Sequence, residues 1–470
     1  MPGSDFLSLD ATTIPRGSRA DWLADRIRSA ILDGILPAGA RLPPTRTLAA
    51  ELAVSRGTVG EAYRRLTEEG LIVARTGAGT TVTDHLPASR QMRQSAPPAR
   101  DHGRDGVRAG DDLIDLATGV PDLTAFPRAA WLRAEREALD TATARQLGYA
   151  PAQGTIELRT ALSAWLARSR GVTVSPDRLI VTGGVTGALS LLAQSLKAGG
   201  RDAVAIENPS AEGNARILRY WLPKVAPVPV DHDGLDVTAL AAQPVRAVLV
   251  TPAHQYPTGV VLAPHRRRAL IEWADQTDAL IIEDDYDAEY RYDRHPVRAM
   301  QPLAPERIAY TASLSKVLAP ALRLGWLTVP AHLHEQVVEL RWATDLGSPA
   351  LPQLALARLL DNGALERHLR TMRVRHRERR DATVAAIRAV FPDAQIAGIA
   401  AGLHLVLLLP DDHDDRRIAD AVADAGVAVL PLSRYYADGG PPGLIINYAA
   451  HHAARMTEAI ARLARVMSMT

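Results

Sequence analysis

The sequence predicts an α/β protein in which a small helical N-terminal unit precedes a large domain with a mainly parallel sheet. Three observations support this prediction. Residues 1–84 contain short amphipathic helical patterns followed by a hairpin pattern. Residues 85–111 are rich in Pro, Ser, Arg, Gly and Asp and almost free of apolar residues, which is typical of a flexible linker. Residues 112–470 alternate apolar strands with amphipathic helices, and from about residue 356 the pattern indicates a smaller α+β lobe.

The N-terminal unit contains three helical patterns. The first, at residues 20–32, places four apolar side chains on one face: Leu23, Ile27, Ala30 and Ile31. Thr45 is the predicted N-cap of a second helix at residues 46–52. Ser55 caps a third, whose buried side is predicted to be Val59, Ala62, Tyr63 and Leu66. Residues 71–74 and 80–83 then form a hairpin through Gly77 and Gly79, so the unit is predicted to be a winged helix-turn-helix.

Composition excludes several classes of protein. The chain has 470 residues and no cysteine, so disulfides, thiolate metal sites and cysteine nucleophiles are excluded. Its net charge of +1 argues against wholesale electrostatic binding to nucleic acid. No signal-peptide pattern begins the chain, and no apolar run approaches the ~20 residues that cross a bilayer. We therefore expect a soluble, cytoplasmic protein with no membrane partner.

The N-terminal unit also has the residues to contact DNA. Arg56 and Thr58 begin the second helix of the helix-turn-helix, whose N-terminal end enters the major groove in such units. Arg46 begins the first helix of the pair, from which it would reach the phosphate backbone. Gly77 and Gly79 would let the wing approach the duplex. A helical interaction module without a nucleic-acid role is the alternative.

Residues 19–84 resemble the GntR-type DNA-binding head. The resemblance is carried by residues 35–46 (ILPAGARLPPTR), 48–52 (LAAEL), 55–59 (SRGTV) and 62–66 (AYRRL). It implies sequence-specific operator binding as a dimer, and it implies that the DNA contacts are Arg46, Arg56 and Thr58, with Gly79 and Thr80 on the wing. Pro44 stands where the family commonly has serine, so a hydroxyl that could touch phosphate is missing.

The large domain shows a βαβ rhythm. Six apolar segments are its clearest predicted strands: residues 179–181, 203–206, 247–250, 280–282, 308–311 and 325–329. Helices are predicted between them, at residues 186–196 and 264–275 among others. Further on, a long Arg-rich helix is predicted at residues 364–390, followed by a strand near 402–406.

Lys316 is the most informative residue of this domain. Only three of the 54 basic residues are lysines, and Lys316 follows an apolar strand in the sequence Ser-Leu-Ser-Lys. A lysine amine can form an imine with an aldehyde, and an arginine cannot. Lys197 and Lys224 lie in surface-like segments. Lys316 is therefore the candidate Schiff-base residue. The alternative is that a lysine occurs at this position by chance and has no chemical role.

Other residues of the domain complete a candidate pyridoxal site. Asp284 and Tyr286 end a strand and supply a carboxylate for a ring nitrogen and a phenol for a ring oxygen. A dianionic phosphate needs donors, and a Gly-Gly turn at a helix N-terminus provides them. The candidate phosphate ligands are Gly184, Val185, Thr186, Ser313, Ser315 and Arg323. All of these residues are predicted at the C-terminal ends of strands, where ligands of open α/β sheets gather.

These motifs resemble the aminotransferase-like domain of fold type I pyridoxal-phosphate proteins. The resemblance is carried by residues 251–259 (TPAHQYPTG), 283–292 (EDDYDAEYRY), 313–316 (SLSK) and 323–326 (RLGW). It implies that Lys316 forms the internal aldimine, that Asp284 pairs with the pyridine nitrogen, that Tyr286 bonds the 3-oxygen and that His254 lies near the ring. A GntR head joined by a long linker to this domain is the layout of the MocR subfamily.

The chain departs from the family pattern where a substrate would bind. Ile445 occupies the place of the arginine that clamps a substrate carboxylate, Ala211 replaces a tyrosine, and the turn at Gly184 lacks a glutamine. A bidentate guanidinium is hard to replace in carboxylate recognition. These departures favour a regulator whose effector is the cofactor itself, as in the PdxR branch that controls vitamin B6 supply, although Arg373 or Arg434 could substitute.

We therefore expect a homodimeric transcription regulator that binds operator DNA and pyridoxal 5′-phosphate, with a small amino compound as a further candidate ligand. The first alternative is an active aminotransferase with an accessory DNA-binding head. The second is a repressor whose large domain only dimerises. The presence of Lys316, Asp284 and Tyr286 argues against the second alternative.

Overall fold

The computed structural model describes residues 18–75, 79–84, 112–117, 119–293 and 297–468. They form two compact units, one before residue 107 and one after it. The predicted linker at residues 85–111 lies outside the described residues, as does Gly77 of the wing. The domain boundaries therefore remain predictions. None of the described helices combines the length and apolarity needed to span a bilayer.

The N-terminal unit is a winged helix-turn-helix. Its described elements are α1 (Arg19–Leu32), β1 (Arg41–Leu42), α2 (Thr45–Glu51), α3 (Arg56–Glu68), β2 (Ile72–Arg75) and β3 (Gly79–Val82). Strand β3 lies between β1 and β2 and is antiparallel to both, so the wing is a three-stranded sheet. The sequence predicted the β2–β3 hairpin but missed the pairing of β1, because a two-residue strand is too short to show a period of two.

The predicted apolar faces form the core of this unit. The side chains predicted on α1 and α3 are buried: Leu23, Ile27, Ala30, Ile31, Val59, Ala62, Tyr63 and Leu66. Ser55 caps α3 as predicted, because its side chain accepts a hydrogen bond from the Thr58 amide at 3.1 Å. The predicted cap at Thr45 is wrong. The helix begins at Thr45, and its N-cap is Pro44, which has no hydroxyl and makes no side-chain cap bond.

An eight-stranded sheet forms the centre of the second unit, in the order β5-β12-β11-β10-β9-β6-β7-β8. Its strands are β5 (Leu179–Thr182), β6 (Ala203–Asn208), β7 (Lys224–Asp231), β8 (Gly234–Leu235), β9 (Ala247–Val250), β10 (Leu280–Asp284), β11 (Ile308–Ser313) and β12 (Gly325–Thr328). The pairs from β7 to β11 are parallel, as predicted, and β12 runs antiparallel between β11 and β5. Strand β7 was missed because Pro227 and Pro229 interrupt its strand pattern.

Helices cover this sheet. They are α4 (Arg128–Thr141), α5 (Ala144–Leu147), α6 (Ile156–Ser169), α7 (Val185–Ala198), α8 (Glu212–Trp221), α9 (Val237–Ala241), α10 (Pro264–Thr277), α11 (Ala331–Asp345) and α12 (Ala350–Asp361). Three apolar cores contact this sheet. One packs α7 and α8 on it, a second packs α9 and α10, and a third packs α4, α6 and α12. The alternation of strands and helices that the sequence predicted is therefore that of a doubly covered α/β sheet.

The smaller lobe has an antiparallel sheet in the order β13-β14-β17-β16. Its elements are α13 (Ala364–Val390), β13 (Ile396–Ala397), β14 (His404–Leu408), α14 (Asp415–Asp424), β15 (Val427–Ala428), β16 (Leu430–Pro431), β17 (Gly443–Asn447) and α15 (Ala453–Met467). Helix α13 has the predicted bounds. Strand β15 pairs with β4 (Ile114–Asp115), so residues that precede the large sheet in the chain also join this lobe.

Strand register brings the predicted site residues to one edge of the large sheet. Asp284, at the end of β10, lies opposite Thr311 of the parallel strand β11. Ser313, at the end of β11, lies opposite Gly325 of β12, which in turn lies opposite Thr182 at the end of β5. The C-terminal ends of β5, β10 and β11 therefore meet at the edge where α7 begins.

Candidate functional site

A cavity of about 360 Å³ lies at this edge. Eight of the ten residues predicted to bind a cofactor line it: Val185, Thr186, Asp284, Tyr286, Ser313, Ser315, Lys316 and Arg323. The other two, Gly184 and His254, lie just behind its wall. The structure thus brings together residues that are up to 138 positions apart in the chain, from Val185 to Arg323.

Asp284 forms the acidic end of the cavity. Its side chain is buried, and its Oδ2 accepts a hydrogen bond from Asn214 Nδ2 at 3.1 Å. Its Oδ1 is buried without a hydrogen-bond partner among the described residues. Burial raises the pKa of Asp284 to about 7, and the Asn214 hydrogen bond acts against this rise. The carboxyl group is therefore prepared to pair with a donor that enters the cavity.

Lys316 lies between Asp284 and the segment before α4. Its Nζ donates a hydrogen bond to the carbonyl of Gly119 at 2.5 Å. Burial lowers the pKa of this amine, and the carboxylates of Asp287 and Asp284 act against the change. A lowered pKa increases the fraction of neutral amine, which is the nucleophilic form.

The half-buried Tyr286 and the buried His254 form a pair at the cavity. The Tyr286 hydroxyl lies 3.1 Å from His254 Nδ1, and the same nitrogen lies 2.9 Å from Oδ2 of Asp287. Burial raises the pKa of Tyr286 well above its ordinary value, so the phenol stays protonated. His254 therefore orients Tyr286 and does not itself face the cavity. A side chain at Gly402 would collide with this histidine, since a Cβ there would lie 2.3 Å from its ring.

Hydrogen-bond donors gather at the opposite end of the cavity, where α7 begins. Gly184 is the N-cap of α7 with a φ of 88°, and α7 has no side-chain cap bond. Its first amides are therefore available to an anion. The Arg323 guanidinium donates to the Gly183 carbonyl, and Ser313 and Ser315 line the same end. Gly325 is also required, because a Cβ there would lie 2.7 Å from Gly184 Cα.

Ile445, at the predicted place of a carboxylate-binding arginine, is buried in an apolar cluster with Val406 and Leu432 and does not line the cavity. Among the described residues, the cations that line the cavity are Lys316 and Arg323. Arg373, one of the two predicted substitutes, donates instead to the Glu289 carbonyl at 2.9 and 3.1 Å. Neither it nor Arg434 lines the cavity. Burial also lowers the pKa of His404 to about 4, so this lining imidazole is neutral at pH 7.

Sequence reasoning missed several lining residues. Asn214 lies within α8, 70 positions before Asp284, and no local pattern connects the two. Glu207 is buried, and its carboxylate accepts hydrogen bonds from the Thr251 amide at 3.1 Å and hydroxyl at 2.6 Å. Burial raises its pKa to about 7. The sequence places Glu207 directly after a predicted strand and before Asn-Pro, and this position could have identified it as a lining residue.

The predicted DNA contacts lie on one unit and are accessible. Arg46 on α2 and Arg56 on α3 are exposed, and the Thr58 hydroxyl lies 2.9 Å from that of Ser55 in the first turn of α3. Gly79 and Thr80 begin β3. Gly79 has a φ of 88°, and a Cβ there would lie 3.0 Å from the Arg41 guanidinium, so the wing requires glycine at this position.

Comparison with known proteins identifies both units. Residues 111–463 match the family "Aminotransferase class I and II", and residues 19–82 match "Bacterial regulatory proteins, gntR family". The chain is 34% identical over 457 residues to the HTH-type pyridoxine biosynthesis transcriptional regulator PdxR of Corynebacterium glutamicum, covering 95% of each chain. It is also 34% identical over 458 residues to the probable rhizopine catabolism regulatory protein MocR of Rhizobium meliloti, covering 93% of this chain and 91% of that one.

Solved structures share the fold of the second unit. An archaeal alanine:glyoxylate aminotransferase has a TM-score of 0.70 and 29% identity, over 78% of this chain and 92% of that one. A kynurenine aminotransferase of Pyrococcus horikoshii, solved with the aminated cofactor, has the same TM-score at 25% identity, over 81% of this chain and 98% of that one. The chain belongs to the MocR subfamily of GntR-type transcription regulators, with pyridoxal 5′-phosphate as the cofactor of its aminotransferase-like domain.

Proposed function

We propose that this regulator binds operator DNA as a homodimer and senses pyridoxal 5′-phosphate itself. The observation that carries the proposal is the composition of the cavity. Its lining brings Lys316 together with Asp284, Tyr286 and Arg323, whereas Ile445, which replaces the expected carboxylate-binding arginine, is buried in an apolar cluster and does not line the cavity. A site built in this way favours the cofactor over an amino acid.

The residues of the cavity fit the cofactor. The partnerless Oδ1 of Asp284 is an acceptor for the protonated pyridine nitrogen, and the protonated Tyr286 is a donor for the ring oxygen. The α7 N-terminus would bind the phosphate together with Ser313, Ser315 and Arg323. Lys316 would hold the cofactor covalently through its amine. When bound, pyridoxal phosphate supplies an electrophilic aldehyde and an electron-accepting ring.

Two residues that do not touch the cofactor in this proposal act as positioning residues. Asn214 holds Oδ2 of Asp284 and so fixes the plane of the carboxyl group. His254 holds the Tyr286 hydroxyl and is itself held by Asp287. Both contacts restrict the rotation of a binding side chain before the cofactor arrives, which lowers the entropy cost of binding.

An exposed apolar surface supports dimerisation through the second unit. Leu132 and Leu139 lie one heptad apart on α4, Leu147 ends α5, and Leu351 begins α12, which packs on both of these helices. Tyr149 follows α5 and is 93% exposed. Exposed apolar patches of this kind are typical of interaction surfaces. A second copy of the chain would cover the patch and bring two DNA-binding units together.

The N-terminal unit supports the operator-binding part of the proposal. Arg56 and Thr58 occupy the first turn of α3, the end of a recognition helix that contacts base edges in helix-turn-helix proteins. Both Arg46 and Arg56 are exposed, and neither has an ion-pair partner among the described residues that DNA would have to displace. The cofactor can change DNA affinity only if it binds two arrangements of the dimer with different affinities. The size of that difference limits the change in DNA affinity.

An active aminotransferase is the second candidate, and the intact set of Lys316, Asp284 and Tyr286 favours it. The missing cation at residue 445 counts against it. The two candidates differ in what amino acids do. A transaminase would convert its bound cofactor to the aminated form and release a keto acid, whereas the proposed sensor would leave both cofactor and amino acid unchanged.

One titration tests the proposal. Purified apo-protein receives pyridoxal phosphate with and without a mixture of amino acids, while binding to its own upstream DNA is followed by fluorescence anisotropy. We expect the cofactor alone to change DNA affinity. A response that requires an amino acid would contradict the proposal, and so would keto acid release in the same samples.

A further inference from the structure

A second cavity, of about 550 Å³, lies between α4 and the N-terminal half of α13, and we call it the α4–α13 cavity. It shares no lining residue with the cofactor cavity. Five of its lining residues are titratable: Arg133, Glu137, Arg367, His368 and Arg375. Nothing in the proposed sensing of pyridoxal phosphate uses these side chains.

Positive charge dominates the lining. Three guanidinium groups face one carboxylate, that of Glu137. Burial lowers the pKa of His368, so its imidazole adds no charge at pH 7. Arg375 is already paired, because its Nη1 donates to Asp122 at 3.0 Å. Arg133 has no hydrogen-bond or ion-pair partner within the described part of the chain, and Arg367 donates through Nη1 to the Asn362 carbonyl at 3.0 Å, which leaves its other N–H groups available.

The N-terminus of α13 adds to this field. Helix α13 has 27 residues and its N-cap is Gly363; the Asn362 side chain already accepts a hydrogen bond from the Ala364 amide at 2.9 Å, and the acidic Glu366 lies in the first turn. Asn362 and Ala364, which flank this N-cap, both line the cavity. A helix N-terminus carries a partial positive charge that favours anions, and here it coincides with two arginines that have donors to spare.

We propose that the α4–α13 cavity binds a phosphate monoester through Arg133 and Arg367. Guanidinium groups bind phosphate oxygens in a bidentate manner. Two guanidinium groups on different helices can therefore bind a doubly charged phosphate monoester better than they bind a singly charged carboxylate. The cavity is also large enough for an organic group attached to the phosphate. This site lies beyond the proposed cofactor-sensing function and does not depend on it.

The cavity is connected to Lys316 by two short routes. Burial lowers the pKa of His368, and the backbone of Val317, the residue after Lys316, lies close enough to act against this change. Asp122, which holds Arg375 at 3.0 Å and Arg379 at 2.6 Å, lies three residues after Gly119, whose carbonyl accepts from Lys316. An anion that draws Arg375 away from Asp122 would disturb the segment that holds Lys316. Binding at the two sites is therefore coupled, and the coupling is reciprocal.

The test uses the full chain loaded with pyridoxal phosphate, so that the phosphate donors of the cofactor cavity are occupied. Glycerol 3-phosphate is titrated by calorimetry at constant ionic strength. The double variant Arg133→Gln/Arg367→Gln is compared with Arg388→Gln, which removes an exposed arginine from the last turn of α13, outside the cavity. We expect the double variant to bind at least about tenfold more weakly, since each lost contact is a charge-assisted hydrogen bond.

Three results would overturn the proposal: no binding by the wild-type protein, equal loss in the Arg388→Gln control, or equally tight binding of malonate, a dicarboxylate without phosphate. The coupling has its own readout. Glycerol 3-phosphate should change the dissociation constant of pyridoxal phosphate in the wild-type protein. Part of this change is direct competition for the cofactor cavity, which the double variant also shows. The change in the wild-type protein should be larger than that in the double variant. Identical effects in both proteins would show that the two sites are independent.

Discussion

Asn214 and Asp284 are joined by a 3.1 Å hydrogen bond that engages only one of the two carboxylate oxygens, and the other is buried with no partner among the described residues. A buried acceptor without a partner costs free energy that a ligand donor can recover. The Asp284 carboxyl group therefore affects both the stability of the cofactor-free protein and the affinity for the cofactor. Because this group titrates, both properties depend on pH.

The first prediction concerns the pH dependence of stability. Burial raises the pKa of Asp284 to about 7, from an ordinary value near 4. A raised pKa means that the protonated form stabilises the fold at low pH, and that this contribution is lost as the pH rises through 7. Asp284→Asn removes the titration. We expect the variant to gain stability relative to the wild-type apo-protein as the pH rises from about 4 to about 7, by at most about 4 kcal/mol, and the difference to stay constant above that range.

Thermal unfolding of the apo-proteins across this pH range measures the effect. Asp140→Asn, which changes an exposed aspartate of α4, is the matched control and should run parallel to the wild type. Glu207, whose pKa burial also raises to about 7, is present in all three proteins, and its charge raises the pKa of Asp284 further, so the measured difference includes this coupling. Parallel curves for wild type and Asp284→Asn would show that this carboxyl group does not titrate in the predicted range.

The second prediction concerns Lys316. Lys316→Ala should abolish the near-visible absorption band of the bound cofactor, because the covalent link is lost, and should let the cofactor exchange during gel filtration. Lys197→Ala alters an exposed lysine of α7 and should leave the spectrum unchanged. A spectrum that survives in Lys316→Ala would mean that another amine holds the cofactor.

The third prediction separates the two units. Arg56→Ala should weaken operator binding by roughly 1–3 kcal/mol and leave cofactor uptake intact. If Arg56 contacts a base, specificity should relax at one position. If it contacts phosphate, affinity should fall on all sequences and the salt dependence should become less steep. Arg26→Ala, at an exposed site on α1, is the control. Unaltered DNA binding by Arg56→Ala would contradict its placement in the interface.

Much of the fold was predictable because its signals are local. The bounds of α13 follow from its helical period, and the strands β9 and β11 follow from apolar runs. Lys316, Asp284 and Tyr286 could be found because each follows such a strand. The contact between Asn214 and Asp284 could not be predicted, since it depends on how α8 packs across 70 residues of chain. That His254 lies near the ring stays a prediction, and its contact with the Tyr286 hydroxyl could not be predicted because it depends on side-chain packing.

The most direct measurement follows one sample of apo-protein by absorbance and by anisotropy of labelled upstream DNA as pyridoxal phosphate is added. We predict that DNA affinity changes with the same midpoint as cofactor uptake, that Lys316→Ala shows no such change, and that amino acids have no effect. DNA binding that is indifferent to the cofactor in the wild-type protein would contradict the proposal that this regulator senses pyridoxal phosphate.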